Sequence, residues 1–332
     1  MVKRFFWFFS VVALLTSSCG LSRRTTSKPA MAASDDGRAL TLVSSTGRPI
    51  LTYNYAETPA PAGVRKVFAR SGYIHPLCTP SGFVLTRIQP RDHWHHYGFW
   101  NPWTRVEYDG RVYDLWNLGD SLGTVRSRHV DALTVGDEAC GFEATLDHVA
   151  FTPGGETVIL GEKWKIRATE TPDGYLLDFV FVLTPATDKP VTIKAYRYQG
   201  FSIRATEAWT RDNCEMMTSE GLERPQIDGS RARWVYVNGA TGPETTGGFL
   251  FLSSPDNYNA PEPLRIWDQN ANRGRGDVYV NFCPTKTQDW RLVPGQTYEL
   301  RYRILTYDGS LDPERAERLW QEYVSSGAAR HQ

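Results

Sequence analysis

A chain of 332 residues with 37 basic and 37 acidic side chains carries no net charge. No long-range field therefore recruits nucleic acid or an anionic surface, and nucleic-acid binding is disfavoured. Past the N-terminus no run approaches the roughly 18 consecutive apolar residues of a helical membrane span, so the mature chain is expected to be tethered rather than embedded.

Lys3 and Arg4 precede an apolar run over residues 5–15, which gives way to Thr16-Ser17-Ser18-Cys19. This is the pattern of a secretory signal, and small residues before a cysteine resemble a bacterial lipobox in which Cys19 becomes the lipidated first residue. Residues 1–18 are therefore expected to be a lipoprotein signal peptide. Residues 19–37, small, polar and unpatterned, should form a flexible tether, and 38–328 a single domain. The expected location is the bacterial cell envelope, at its periplasmic or outer-membrane face, with the membrane reached through the lipid anchor only.

Cys78, Cys140, Cys214 and Cys283 lie far apart without a C-x-x-C pair. That argues against zinc-ribbon and thioredoxin-like chemistry, and leaves both disulfides and buried free thiols open.

The segment 92–100, DHWHHYGFW, places three of the seven histidines within four positions among aromatic rings. Imidazoles ligate metals or move protons near neutral pH, and flat ring faces accept a stacked sugar. If the segment is extended, His93 and His95 share one face and His96 takes the other. An H-x-H pair so placed can bind a divalent metal, with His75 or Asp92 as a third ligand. Three readings stay open: a metal centre on His93 and His95, a site for a carbohydrate or other polyol, and histidines that are purely structural.

Trp94, Tyr97, Phe99, Trp100 and Trp103 follow so densely that most should be core, with one or two left as stacking platforms. Further on, Lys163, Lys165 and Arg167 alternate with Trp164, Ile166 and Ala168, the period of a half-buried strand. Residues 175–183 carry one charge, Asp178, and suit a central strand covered on both faces. Residues 198–204 offer Arg204 as a fixed cation. Residues 253–259 offer Asp256 as a base and Asn257 as a hydroxyl partner. Glu299, Arg301 and Arg303 alternate with Leu300, Tyr302 and Ile304. Near the end Asp312 can cap a helix over 314–325, with Pro313 in its first turn and Leu319, Trp320, Tyr323 and Val324 on one face. Proline-glycine turns at 153–155, 172–174 and 294–295 punctuate the strands. No G-x-S-x-G, H-E-x-x-H or P-loop is present.

These segments resemble a bacterial family of unknown function that has carried the name methane oxygenase PmoA. The likeness runs over about residues 72–321. Its motifs are DHPHHRGLW-like at 92–100, YGGLGFR-like at 198–204, W-V-D-Y-like at 234–237, a strand and turn at 249–259, and G-E-x-L-x-x-R-Y-R-like at 295–303. Trp94 replaces the motif's proline and Tyr97 its arginine. Methane oxygenation is not expected, since the membrane subunit of that name is polytopic. A more distant likeness is to galactose mutarotase-like proteins, whose catalytic glutamate precedes a proline-aspartate turn. Residues 252–256 match the turn, but serine stands near the glutamate's place.

The resulting expectation is an all-β fold, a large antiparallel two-sheet β-sandwich of the galactose mutarotase-like supersandwich type with a short C-terminal helix. It would bind or transform a carbohydrate in a cleft. His93, His95, His96 and Asp256 are the candidate catalytic residues, and Trp94, Tyr97, Trp100, Arg204 and Asn257 the candidate substrate contacts. The rival expectations are a non-catalytic glycan-binding lipoprotein and a histidine-metal hydrolase or oxidoreductase.

Overall fold

The computed structural model describes Met1 and residues 30–134 and 139–330. Residues 2–18 of the expected signal and Cys19 lie outside the described residues.

Alternating sequence becomes long, half-buried strand. In Gly155–Thr171, Trp164, Ile166 and Ala168 are buried while Lys163, Lys165 and Arg167 face water. Tyr298–Asp308 buries Leu300, Tyr302 and Ile304 in the same rhythm. Gly174–Pro185 lies between these two strands, pairing Phe181 with Trp164 on one side and with Leu300 on the other. It is central, as expected, but only one face is sealed. Phe179, Phe181 and Leu183 are buried, whereas Asp178, Val180 and Val182 are only partly covered. The single charge on that outer face is held laterally, since Arg303 donates to both Asp178 oxygens at 2.6 and 3.0 Å.

Two eight-stranded antiparallel sheets form the body. The long-stranded sheet runs, in spatial order, Cys214–Thr218, Trp234–Ala240, Thr246–Ser253, Tyr298–Asp308, Gly174–Pro185, Gly155–Thr171, Ala139–Thr152 and Gly123–Thr134. The facing, short-stranded sheet runs Ala32–Asp35, Ala39–Val43, Pro49–Asn54, Tyr73–Leu77, Phe99–Trp100, Ser202–Arg204, Tyr279–Phe282 and Leu264–Ile266. A four-stranded sheet built on Val191–Ile193 lies beside them. Aromatic contacts join the two large sheets, with Tyr53 on Phe142 at 4.8 Å and Phe282 on Phe251 at 4.8 Å between ring centres. This is a β-sandwich, its two inner faces interlocking as one hydrophobic core.

Two expectations about the chain ends meet different outcomes. Ala32–Asp35, assigned by composition to the tether, instead adds an edge strand to Ala39–Val43. Strand addition needs backbone pairing rather than apolar side chains, and the preceding Met31 is buried in the core. At the other end Pro313–Ser325 is the expected helix, with the Asp312 carboxylate accepting from the Arg315 N–H at 2.7 Å. Its Ala316, Leu319 and Tyr323 are buried against Trp234, Tyr236 and Leu252 on the outside of the long-stranded sheet. The four described cysteines are free thiols, three of them buried.

Strand alternation on the short-stranded sheet positions everything that follows. Phe99, Ile203, Val280 and Phe282 point into the sandwich, so Trp100, Ser202, Arg204 and Tyr279 point outward. There Trp100, Trp116, Tyr73, Tyr97 and Tyr279 make a second aromatic cluster outside the main core.

A separate polar knot lies within the fold. Glu262 has no exposed surface and accepts from Ser253 Oγ (2.6 Å), Asn257 Nδ2 (2.8 Å) and Tyr302 Oη (3.0 Å). Asn257, expected to meet a ligand, is thus committed to Glu262 and to the Arg301 backbone at 2.7 and 2.9 Å. Burial pushes the Glu262 carboxyl up to about 7, against three donors that favour its ionised form. A folded value above the unfolded one of 4.5 contributes stability below about pH 4.5 that is lost as pH rises through about 7. Between pH 5 and pH 9 the wild type should therefore lose about 3 kcal/mol of unfolding free energy relative to Glu262→Gln. Urea unfolding of both proteins across that range checks this, and parallel curves would contradict it.

Candidate functional site

The histidine segment is not a strand. His93 N–H bonds the Pro90 carbonyl (2.9 Å) and His96 N–H the His93 carbonyl (3.0 Å), so the chain makes successive turns. The loop is closed where Gln89 N–H meets the His96 carbonyl at 2.8 Å and Ile88 bridges Tyr97. Gly98 then returns the chain to Phe99–Trp100 with φ +57°, and a side chain there would collide with the Ile74 carbonyl oxygen. Turning, rather than extending, brings all three imidazoles together. Ring centres lie 4.6 Å apart for His93 and His96, 4.7 Å for His95 and His96, and 5.4 Å for His93 and His95.

This corrects the extended geometry assumed for the H-x-H pair, since the segment turns and the His93 and His95 rings meet edge to face at 71° between planes. Among the described residues no group of three or more His, Cys, Asp or Glu side chains is arranged to hold a metal ion.

The cluster opens into a cavity of about 500 Å³. Its lining includes Asp92 and the three histidines, Asn117, Arg197 and Tyr198, and Asp228, Arg265, Ile266, Trp267, Asp268, Asn272 and Tyr279. Trp267 packs on His93 (4.9 Å), His96 (5.7 Å) and Tyr279 (5.4 Å). Its loop is fixed from below by buried Arg224, which donates to the carbonyls of Trp267, Gly276 and Asp277 at 2.8 to 3.1 Å.

Arg204 lies beneath this floor, with no exposed surface and its guanidinium carbon 4.3 Å from the Trp267 ring centre. Its Nη2 donates to Asp92 Oδ2 at 2.7 Å and to Asp277 Oδ2 at 2.5 Å. Asp277 also accepts from Arg87, Arg275 and Asn272. Burial and the nearby Arg87 charge push Arg204 down to about 10, which still leaves it charged at neutral pH. Partial burial raises the Asp92 carboxyl, but the His93 hydrogen bond and Arg204 outweigh it and hold the group well below the usual carboxylate range. An ionised carboxylate only accepts. The 2.8 Å contact between His93 Nδ1 and Asp92 Oδ2 therefore carries the proton on Nδ1.

The other imidazoles are held neutral. Burial, helped by the neighbouring His93, Arg70 and Arg204, pushes His95 down to about 3. Burial and the adjacent histidines drive His96 well below its ordinary value, and burial lowers His75 to about 4.

Of the residues singled out in the sequence, His93, His95 and His96 line the cavity together. Arg204 supports it from beneath. Trp100 has no exposed surface and packs under His96 at 5.1 Å, and Tyr97 is buried with its hydroxyl donating to the Phe68 carbonyl. Neither lines the cavity, and Trp94 is also outside the lining. Asp256 is an exposed turn residue and does not join the site, nor does Asn257. Sequence reasoning missed Trp267, Asp277 and Tyr279, which sit far along the chain. Their local signal is the polar, glycine-rich run after Trp267.

A family model described as "Family of unknown function (DUF6807)" matches residues 41–321, so the chain belongs to that family. No curated protein matches it. Similar solved structures include a galactose mutarotase related enzyme from Lactobacillus acidophilus, at 10% identity and TM-score 0.39 over 83% of this chain and 97% of that one. A galactose mutarotase-like protein from Lactobacillus casei matches at 8% identity and TM-score 0.39, over 83% and 100%. An alpha-galactosidase from Geobacillus stearothermophilus matches at 12% identity and TM-score 0.36, over 85% and 39%.

Replacing Arg204 with methionine leaves Asp277 two arginines and Asp92 only His93. Breaking a buried ion pair from one side costs about 3 kcal/mol or more. Urea unfolding of Arg204→Met should show a loss of that size, and a change below about 0.5 kcal/mol would contradict the supporting role.

Proposed function

We propose that this DUF6807 member binds a carbohydrate in the histidine-lined cavity and transforms it by acid-base chemistry at His93. The observation that carries this reading is the oriented pair at the cavity wall. Asp92, kept ionised by Arg204, accepts from His93 Nδ1 and so leaves Nε2 as the basic nitrogen. A carboxylate that fixes the tautomer of an imidazole is an arrangement that supports general base catalysis.

The cavity supports a polyhydroxylated ligand. Trp267 and Tyr198 offer apolar ring faces, while Asn117, Asn272, Asp228 and Asp268 supply acceptors and amide donors around them. Neutral His95 and His96 add uncharged imidazoles to the lining, suited to hydroxyl groups rather than to ionic partners. In this reading His93 Nε2 takes a proton from the bound sugar and returns it to the product or leaving group. Asp92 stabilises the imidazolium that forms between these steps.

The test is a panel of oligosaccharides screened for binding and for product formation. His93→Gln should reduce turnover by about 10²-fold or more with a much smaller change in affinity. Asp92→Asn, which presents an amide donor or a neutral acceptor to Nδ1, should reduce turnover in the same direction. Wild-type turnover by His93→Gln would remove the catalytic half of the proposal, and failure of every saccharide to bind would remove both halves.

A further inference from the structure

The charged groups around the cavity differ in how they are paired. Asp92 is paired with Arg204, and His95 and His96 are uncharged. Arg265 of the lining shares Asp228 with Lys286, which lies outside the lining, at 2.5 and 3.5 Å. Arg197 lines the same cavity and has no ion-pair partner among the described residues. Of the two arginines in the lining, Arg197 is therefore the one with no carboxylate against it. The remaining acid of the lining, Asp268, sits on the Trp267 loop, where it accepts from the Asn270 N–H at 2.8 Å.

Arg197 is exposed, yet it is not unplaced. Its guanidinium stacks 5.3 Å from the Tyr198 ring centre and 5.9 Å from that of Tyr196, and its backbone carbonyl accepts from Lys286 Nζ at 3.1 Å. Stacking on two rings restricts the side chain while leaving the N–H fork unused. A planar fork of this kind matches the paired oxygens of a carboxylate or sulfate, which a neutral sugar hydroxyl cannot supply.

We infer that the cavity takes an anionic saccharide, with the carboxylate or sulfate of the sugar held by Arg197 beside Arg265. The inference rests on the reading of the cavity as a carbohydrate site and narrows its substrate class. Arg197 is a specificity-determining residue in this account, because it distinguishes a charged sugar from its uncharged counterpart.

The experiment measures binding of the protein to glucuronate, galacturonate, mannuronate and guluronate oligosaccharides, each beside its carboxyl-reduced counterpart. Sulfated galactan oligosaccharides beside their desulfated forms make the second arm. At least one anionic member should bind about tenfold or more tightly than its uncharged partner, the effect of one charge-assisted contact. The arm in which it occurs identifies the anionic group. Arg197→Gln should erase that preference, and Arg197→Lys, which keeps the charge without the fork, should restore part of it. Because Arg197 is an exposed loop residue, both variants should keep the wild-type melting temperature. Equal binding of charged and uncharged members, or a preference unchanged in Arg197→Gln, overturns the inference and leaves the carbohydrate reading standing. Binding of no saccharide overturns both.

Discussion

A guanidinium sealed from solvent needs carboxylates to offset its charge, and that requirement at Arg204 organises the outer face of the short-stranded sheet. One nitrogen of Arg204 links Asp277, from the strand entry near the chain's end, to Asp92, from the histidine loop. The ring of Trp267 closes over the cation. Three segments far apart in sequence are thereby held in one place. The cost of burying the charge is offset by two carboxylates rather than by water, so the loop positions are coupled: moving Asp92 or Asp277 strands the arginine.

The same coupling divides labour among three adjacent imidazoles. His95 and His96 are largely buried and lie beside other cations and imidazoles, which disfavours their charged forms. His93 alone touches a carboxylate at hydrogen-bonding distance within the cluster. One imidazole therefore has a defined tautomer, next to two that stay neutral. Clustering by itself would not produce this asymmetry. It follows from the position of Asp92 one residue before His93 and from the arginine behind it.

Much of the scaffold was legible in residue alternation. The runs at 163–168 and 298–304 and the helix after Asp312 follow from periodicity and capping, which are local, whereas the two-sheet form was implied by the likeness to galactose mutarotase-like proteins. The histidine-rich segment was legible as a site because its composition is unusual. Its conformation was not, since turns at His93 and His96 depend on closure with Gln89 and on Gly98 passing the Ile74 carbonyl. Trp100 and Tyr97 resemble sugar platforms in composition, yet the strand pleat buries Trp100 and the Ile88 bridge buries Tyr97 in the aromatic cluster. Asp256 and Asn257 follow an apolar strand, as site residues often do, but that strand belongs to the other sheet. Trp267 and Asp277 were marked only by the polar, glycine-rich run between them, because their role comes from the pairing of Ser202–Arg204 with Tyr279–Phe282.

The account depends most on the protonation pattern of the three imidazoles, which nitrogen-15 NMR of histidine-labelled protein reads directly. Correlations through the ring carbons should show neutral His93 protonated on Nδ1, with His95 and His96 remaining neutral as the pH is lowered to about 5, well below the ordinary histidine value. A His93 protonated on Nε2 in its neutral form, or His95 and His96 gaining charge near pH 6.5, would contradict the arrangement on which the proposed chemistry rests.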